Sequence, residues 1–187
     1  MHQFPQGSGW IEVITGSMFA GKTQELIRRL RLAAIARQRV QVFKHKLDAR
    51  YSREDLVSHD QLRVPSLPVR TAAEVLDKVR PNTQVVGIDE AHFFDGKLVS
   101  ACQRLAQDGR RVIVAGLDQD WRGKPFDPIA RLMAVSEYVT KNLAVCVVCG
   151  GPAGRSHRVG DGKKRIDIGH SDKYEARCRR CFEPATK

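Results

Sequence analysis

The sequence predicts an α/β protein in which helices cover a parallel sheet, with a small cysteine-containing segment at its C-terminal end. Three observations support this fold class. Strand-like apolar runs alternate with helical patterns over residues 1–143, a glycine-rich loop joins the first strand to the first helix, and two C-x-x-C pairs follow later. A regular alternation of strands and helices is typical of parallel sheets. We therefore expect one domain over residues 1–143 and a smaller one over residues 144–187.

The spacing of apolar residues predicts the individual elements in chain order. Strands are predicted at residues 10–15, 40–43, 84–89, 111–115 and 138–145. Helices are predicted at residues 22–37, 71–79, 97–108 and 127–135. Thr71 and Glu74 form a capping box, and Gly109 suits a helix C-terminus. Asp127-Pro128 suits an N-cap followed by the first helical residue. Residues 44–68 are polar and are predicted to form a long loop, which in compact domains is usually functional or disordered.

The composition is that of an ordinary globular protein, with 187 residues of which 42% are apolar and 28% are charged. An apolar run of about 18 residues, the minimum for a membrane-spanning helix, does not occur. Residues 1–9 lack the features of a secretory signal, so we expect a cytoplasmic location. The net charge of +11 favours polyanionic partners, either nucleotides or nucleic acid. Five cysteines, an odd number, argue against a framework of disulfides.

The strongest motif is G-x-x-x-x-G-K-T at residues 16–23, which lies between a predicted strand and a predicted helix. That context is the one in which this motif forms a phosphate-binding loop, or P-loop. We predict that Lys22 reaches the β- and γ-phosphates of ATP and that the Thr23 hydroxyl binds Mg²⁺. Backbone N–H groups of the loop would hold the phosphates. The predicted phosphate-binding residues here are Gly16, Ser17, Met18, Phe19, Ala20, Gly21, Lys22 and Thr23.

A second motif, Asp89-Glu90-Ala91-His92, follows an apolar strand and extends the predicted ATP site. A strand that ends there delivers its carboxylates to the edge of the sheet at which α/β folds bind ligands. We predict that Asp89 holds Mg²⁺ and that Glu90 orients the nucleophile or accepts its proton. The same four letters spell the DEAH box of nucleic-acid helicases. Such helicases need two tandem RecA-like domains, and this chain has room for one.

The third motif consists of Cys146, Cys149, Cys178 and Cys181, arranged as two C-x-x-C pairs. Four thiolates with this spacing favour a tetrahedral, structural Zn²⁺ site. The alternative is a set of free thiols or thiol redox chemistry. Cys102 lies within a predicted helix and is expected to be packed without a metal.

Taken in this order, the three motifs resemble those of the type II thymidine kinases over residues 10–182. Six further stretches resemble that family's pattern: Asp48-Ala49-Arg50-Tyr51, Ser58-His59-Asp60, Phe93-Phe94, Ala115-Gly116-Leu117-Asp118, Lys124-Pro125-Phe126 and Asp172-Lys173-Tyr174. The resemblance implies a P-loop, RecA-like parallel sheet followed by a zinc-binding lasso domain. It also implies that phosphate passes from ATP to the 5′-hydroxyl of thymidine.

The resemblance implies roles for individual residues. Glu90 would be the general base, and Asp48 and Arg50 would lie near the reacting phosphate. Residues 150–177 would form the lasso, whose main-chain groups read the base edges and which zinc anchors. The implied nucleoside-binding residues are Met18, Phe93, Leu117, Trp121, Phe126, Ile168, Gly169 and Tyr174. A homotetramer and feedback inhibition by dTTP are also implied, whereas no membrane or nucleic-acid partner is expected.

Four residues depart from the family's usual pattern. Ser17 replaces Pro, Trp121 replaces Phe, and Asp167 stands where an apolar residue is common. His92 replaces Gln, and we expect this change to affect the site most. Two other functions remain open at this point: a helicase-like ATPase acting on nucleic acid, and a zinc-ribbon module that binds nucleic acid without catalysis.

Overall fold

A computed structural model of the chain describes residues 7–47, 55–57, 63–160 and 173–182. Several residues singled out by sequence lie outside the described ranges, namely Asp48, Ala49, Arg50, Tyr51, Ser58, His59, Asp60, Asp167, Ile168, Gly169 and Asp172. Within those ranges, no helix is both long enough and apolar enough to cross a membrane.

The strands run in chain order as β1 (Trp10–Gly16), β2 (Val40–His45), β3 (Asp55–Val57), β4 (Arg63–Pro65), β5 (Leu67–Val69), β6 (Val85–Asp89), β7 (Arg111–Leu117), β8 (Tyr138–Asn142), β9 (Ala144–Val145), β10 (Pro152–Ala153), β11 (Arg155–Arg158) and β12 (Tyr174–Arg177). Six of them form the central sheet in the order β5-β2-β6-β7-β1-β8. Every pairing in this sheet is parallel. The predicted α/β fold with a parallel sheet is therefore confirmed.

Among the described residues, four α-helices cover the sheet: α1 (Lys22–Ile35), α2 (Ala72–Lys78), α3 (Lys97–Gln107) and α4 (Asp127–Val135). Helix α1 packs on one face through Leu26, Ile27 and Leu30. The other three helices pack on the opposite face, where Cys102 of α3 is fully buried. Burial raises the pKa of the Cys102 thiol to about 12, which fits the predicted packed and unreactive cysteine.

The predicted long loop over residues 44–68 is wrong in part, because three short strands and the end of β2 lie within it. Strand β5 joins the edge of the central sheet by pairing with β2. Strands β3 and β4 form a separate antiparallel pair. Each of these strands is three residues long, so none is long enough to show a two-residue alternation of apolar side chains.

The predicted apolar strand over residues 138–145 is also wrong, since the chain divides there between two sheets. Strand β8 is an edge of the central sheet and ends at Asn142, whereas β9 pairs with β10. Tyr138 and Val139 are exposed, because an edge strand has a neighbour on one side only. The apolar residues that suggested a buried strand therefore lie largely at the surface.

Helix boundaries agree with the predictions to within two residues. The predicted capping box is present, since the backbone N–H of Glu74 donates to Thr71 Oγ1 at 3.2 Å. Gly109 follows α3 with φ of 82°, as expected of a C-terminal glycine. Asp127 was predicted as the N-cap of α4, which is wrong, since Phe126 holds that position and Asp127 is the first helical residue.

The buried carboxylate of Glu12, near the beginning of β1, joins this strand to α1 and β7. Glu12 accepts hydrogen bonds from Arg29 Nη1 at 2.8 Å, from Arg111 Nε at 2.6 Å and from Trp10 Nε1 at 2.8 Å. Burial by itself would raise the pKa of Glu12, but these donors, Arg111 first, lower the pKa below its ordinary value. This cluster fixes α1 and β7 to β1 through charged hydrogen bonds.

Replacement of Glu12 should reveal what this cluster contributes to stability. We expect Glu12→Gln to lower the free energy of unfolding at pH 7 by about 2–4 kcal/mol, because two arginines lose a buried counter-charge. Urea unfolding measures this difference. Because the pKa of Glu12 is lowered in the folded chain, its contribution is present above about pH 4.3 and is lost as the pH falls through the folded-state pKa. The gap between parent and variant should therefore close in acid.

The matched control is Glu74→Gln, which removes a half-buried carboxylate that lies 3.6 Å from Lys78 Nζ. A pair of this kind contributes less than about 0.5 kcal/mol. Equal losses in the two variants would contradict the assignment of Glu12 as a buried anchor.

Candidate active site

The phosphate loop has the geometry that its motif predicts. Strand β1 ends at Gly16, helix α1 begins at Lys22, and Gly21 between them has φ of 69°. Phe19 also has a left-handed conformation, with φ of 63°. Such conformations are uncommon outside glycine and occur often at functional sites. The first N–H groups of α1 have no partner within a helix, so the loop and the helix start together form a site suited to an anion.

Lys22 and Thr23, the first two residues of α1, make different contacts. Lys22 Nζ donates to the carbonyl oxygen of Ser17 at 2.6 Å, so its ammonium group lies over the loop. Thr23 Oγ1 donates to Asp89 Oδ2 at 3.0 Å. The fold thus brings together the two residues that the sequence assigns to Mg²⁺. Both are oxygen donors, the ligand type that Mg²⁺ prefers.

Glu90 lies directly beyond Asp89, where β6 turns into a 3₁₀ turn at Ala91–Phe93. Its backbone is left-handed, with φ of 52° and ψ of 38°. Its side chain is 16% exposed, so the carboxylate remains accessible at the edge of the sheet. A non-glycine residue held in this conformation costs on the order of 1 kcal/mol or more, which the surrounding structure must supply.

His92 is buried behind Glu90 and organises an aromatic wall. Its Nδ1 accepts a hydrogen bond from the backbone N–H of Leu117 at 3.3 Å. Its ring centroid lies 4.1 Å from that of Phe93 and 5.0 Å from that of Phe126. The same Nδ1 is 3.5 Å from Glu90 Oε2. Because Nδ1 uses its lone pair for Leu117, it carries no proton, and this approach is not an ion pair.

His92 contacts three residues that the sequence analysis assigns to the nucleoside pocket, namely Phe93, Leu117 and Phe126. Its assignment to the ATP site stays a prediction. Gly116 allows the 3₁₀ turn to lie close to β7, because a Cβ at this position would be 2.7 Å from Ile129 Cδ1 and 3.1 Å from the backbone nitrogen of His92. A side chain at this position would push the 3₁₀ turn away from β7.

Two further pocket residues meet across a buried arginine that the sequence analysis did not identify. The guanidinium carbon of Arg158 lies 5.3 Å from the Trp121 ring centroid and 5.7 Å from that of Tyr174. The guanidinium carbon of Arg122 lies 4.7 Å from the Trp121 ring centroid. Tyr174 is buried on β12 and pairs in register with Arg158 on β11. A lone arginine in a basic segment gives no sequence signal, so only the fold reveals this placement.

Lys44 is a second residue that the sequence analysis missed. It is 3% exposed and lies beside Asp89 in the parallel register of β2 and β6. Alternate side chains of a strand share a face, so Lys44 faces α1, as Val42 does. A lysine is rarely buried to this degree without charged neighbours. The sequence places it at the start of a polar stretch, where it resembles any solvated lysine.

The four cysteines of the C-x-x-C pairs come together, with their sulfur atoms all within 4.8 Å of one another. Cys149 Sγ and Cys178 Sγ are 3.7 Å apart. Zn–S bonds of about 2.3 Å in a tetrahedron place sulfurs roughly 3.8 Å apart, so this cluster fits zinc. Backbone N–H groups, that of Cys178 first, lower the pKa of the Cys146 thiol to about 6.

The thiol of Cys181 titrates in the opposite direction. Its neighbours, Cys178 first, raise the pKa of Cys181 to about 12. Four sulfurs this close cannot all ionise without a cation to offset their mutual repulsion. The four sulfurs could therefore hold a metal ion, and a soft one suits thiolate ligands.

Comparison with known proteins identifies relatives over most of the chain. The family model described as thymidine kinase matches residues 9–182. A thymidine kinase of Rhodothermus sp. is 59% identical over 176 residues, which cover 94% of this chain and 82% of that protein. A thymidine kinase of Bdellovibrio bacteriovorus is 54% identical over 176 residues, which cover 94% of this chain and 86% of that protein. These matches confirm the resemblance drawn from the motifs, and the chain belongs to the thymidine kinase family.

Proposed function

We propose that this chain transfers the γ-phosphoryl group of ATP to the 5′-hydroxyl of thymidine, with Glu90 as the general base. Membership of the family gives the activity, thymidine phosphorylation, and the two substrates. One observation carries the mechanism: Glu90 lies between Asp89, which bonds to the phosphate-loop helix, and the turn that bears Phe93. A base at this position can reach the hydroxyl of a nucleoside held at the aromatic wall.

The ATP phosphates are held by backbone N–H groups of residues 16–23 other than that of Met18, which donates to Ser156 Oγ. Lys22 exchanges its contact with the Ser17 carbonyl for the β- and γ-phosphates and stabilises the charge that develops there. Thr23 and Asp89 would hold Mg²⁺, since their oxygens already lie 3.0 Å apart. When bound, the ion neutralises phosphate charge.

Proton transfer requires Glu90 to be ionised when thymidine binds. Its carboxylate removes the proton of the 5′-hydroxyl as that oxygen bonds to the γ-phosphorus. The bond from the γ-phosphorus to the bridging oxygen breaks, and ADP leaves with the electron pair. His92 offers Glu90 no proton from Nδ1, because that atom accepts from Leu117. The base is therefore not neutralised by its nearest ring nitrogen.

The aromatic wall serves to orient the flat base and to exclude water from the transferring phosphoryl group. Phe93, Leu117 and Phe126 form one part of it, and Trp121 and Tyr174 form another. Met18 is half-buried at the phosphate loop. Asp48, Arg50, Ile168 and Gly169 keep the roles implied by the resemblance as predictions.

A structural role for zinc is part of the same proposal. Cys146, Cys149, Cys178 and Cys181 would fill all four positions of a tetrahedral ion and leave none open for catalysis. The ion would tie β9 to β12, between which the segment closing over the nucleoside lies. Zinc then has no part in the proton or phosphoryl transfer.

Other features stay predictions of the same resemblance: a homotetramer, feedback inhibition by dTTP and a cytoplasmic location. We also propose a domain boundary at residues 143–144, supported by the end of β8 at Asn142 and the start of β9 at Ala144. The helicase-like alternative is not favoured, because the family match covers the Asp-Glu-Ala-His string itself.

Replacement of Glu90 tests the assigned base. We expect Glu90→Gln to lower kcat for transfer from ATP to thymidine by about 10²–10⁴-fold, because the amide cannot accept the proton. Affinity for ADP should stay within about twofold of the parent, since the amide preserves the shape of the side chain. Coupled detection of ADP release measures the rate, and calorimetry measures the affinity.

The controls for this experiment use other nucleosides and another carboxylate. Deoxycytidine and deoxyadenosine should be poor substrates of the parent, and Glu74→Gln, which alters a half-buried carboxylate on α2, should retain full activity. A Glu90→Gln variant with parental kcat would show that another group takes the proton. DNA-stimulated ATP hydrolysis without transfer to thymidine would overturn the proposed reaction itself.

Replacement of one zinc ligand tests the metal site. We expect about one zinc per chain in the parent and a loss of that zinc in Cys149→Ser, because three ligands bind the ion far more weakly than four. The thermal midpoint should fall with it, and chelation of the parent should have the same effect. Elemental analysis and thermal unfolding measure the two quantities.

The matched control is Cys102→Ala, which removes a buried cysteine remote from the cluster. It should retain the zinc of the parent. Full zinc content in Cys149→Ser, or no zinc in the parent, would contradict the proposed site.

A further inference from the structure

The first residues of the phosphate loop, 16–18, contact residues 142–156 of the chain. A Cβ at Gly16 would clash with the carbonyl oxygen of Asn142. The Ser17 hydroxyl donates to the carbonyl oxygen of Ala153 at 3.1 Å. The backbone N–H of Met18 donates to Ser156 Oγ at 2.9 Å. Three consecutive loop residues are therefore fixed by residues that lie more than a hundred positions later.

A fourth contact connects the phosphate loop to the cysteine cluster. Ala20 belongs to a buried apolar cluster whose other members are Ala144, Cys146, Ala153 and Ala176. Cys178 and Cys181 pack against the same cluster. Strands β9, β10 and β12, which lie next to the cysteines in the chain, thus contact the loop directly through Ala144, Ala153 and Ala176.

Burial makes the two hydroxyl contacts consequential. Ser17 is 1% exposed and Ser156 is 4% exposed, so water cannot replace a lost partner. The loop backbone carries the N–H groups that receive phosphate, and displacements on the order of 1 Å from productive geometry are costly. Neither contact is needed to close the loop between β1 and α1. Their effect is to set its position.

We propose that Ser17 and Ser156 are positioning residues of the ATP site, whose hydroxyls fix the first half of the phosphate loop to β10 and β11. The C-terminal strands would then affect the affinity for ATP. The inference rests on the proposed function in one respect, the assignment of residues 16–23 to the ATP phosphates.

Nucleotide affinity is the direct test, with ADP and Mg²⁺ as the probe and calorimetry as the measurement. We expect Ser156→Ala to weaken ADP binding by about tenfold, because the Met18 N–H loses its acceptor in a buried position. Ser17→Ala should weaken it less, by roughly threefold, because a carbonyl tolerates the loss of one partner better. Ser156→Thr retains the hydroxyl and should restore the affinity to within about twofold.

The matched control is Ser136→Ala, which removes a half-buried hydroxyl that donates to the Met133 carbonyl at 3.4 Å. It should leave ADP affinity and the KM for ATP unchanged. A role in stability alone predicts a lower thermal midpoint for Ser17→Ala and Ser156→Ala with parental ADP affinity, and that result would overturn the inference. If Ser156→Ala does not fold, Ser17→Ala decides between the two outcomes.

The parent chain separates this inference from the function on which it rests. A parent that phosphorylates thymidine, with variants that bind ADP as tightly as the parent does, overturns the positioning role alone. A parent that binds no ADP overturns the proposed function and this inference with it.

Discussion

The candidate active site depends on the parallel register of three neighbouring strands. Strand β7 lies between β6 and β1, and all three point the same way. Their carboxyl ends therefore meet at one edge, which brings the phosphate loop, the Asp89-Glu90 pair and Leu117 together. An antiparallel neighbour would have placed one of these groups at the far end of the sheet. The pairing of the backbones therefore determines which groups lie together at the candidate active site.

Local strain then refines what the sheet brings together. Phe19 and Glu90 both hold left-handed conformations, and both lie at this edge. The turn after Glu90 is held by His92, whose Nδ1 accepts from Leu117 and whose ring packs on Phe93 and Phe126. His92 therefore helps to hold Glu90 in its conformation through contacts with Phe93, Leu117 and Phe126, three residues assigned to the nucleoside pocket. A Gln at position 92 could accept the same hydrogen bond, but it would lack the ring contacts, so the histidine is a packing element as well as an acceptor.

Much of the site could be predicted because its signals are local in sequence. The phosphate loop, the Asp-Glu pair and the two C-x-x-C pairs each span a few residues, and their chemistry fixes their context. The residues that were missed act through tertiary contacts. Lys44 is notable only beside Asp89 on the adjacent strand, and Arg158 only between Trp121 and Tyr174. Strand β5 was missed because three residues carry no periodicity, and its place in the sheet comes from pairing with β2.

The C-terminal strands combine a core of small side chains with four cysteines that could hold a metal ion. The apolar cluster of this part of the chain consists of alanines and cysteines, with no large aliphatic side chain among its members. Burial stabilises in proportion to apolar area, at about 25 cal/mol per Å², so such small residues supply little energy. A zinc site can contribute roughly 10–16 kcal/mol in its place. Small side chains also let β9, β10 and β12 approach Ala20 closely. The same small side chains that add little stability to these strands therefore allow them to lie directly against the phosphate loop.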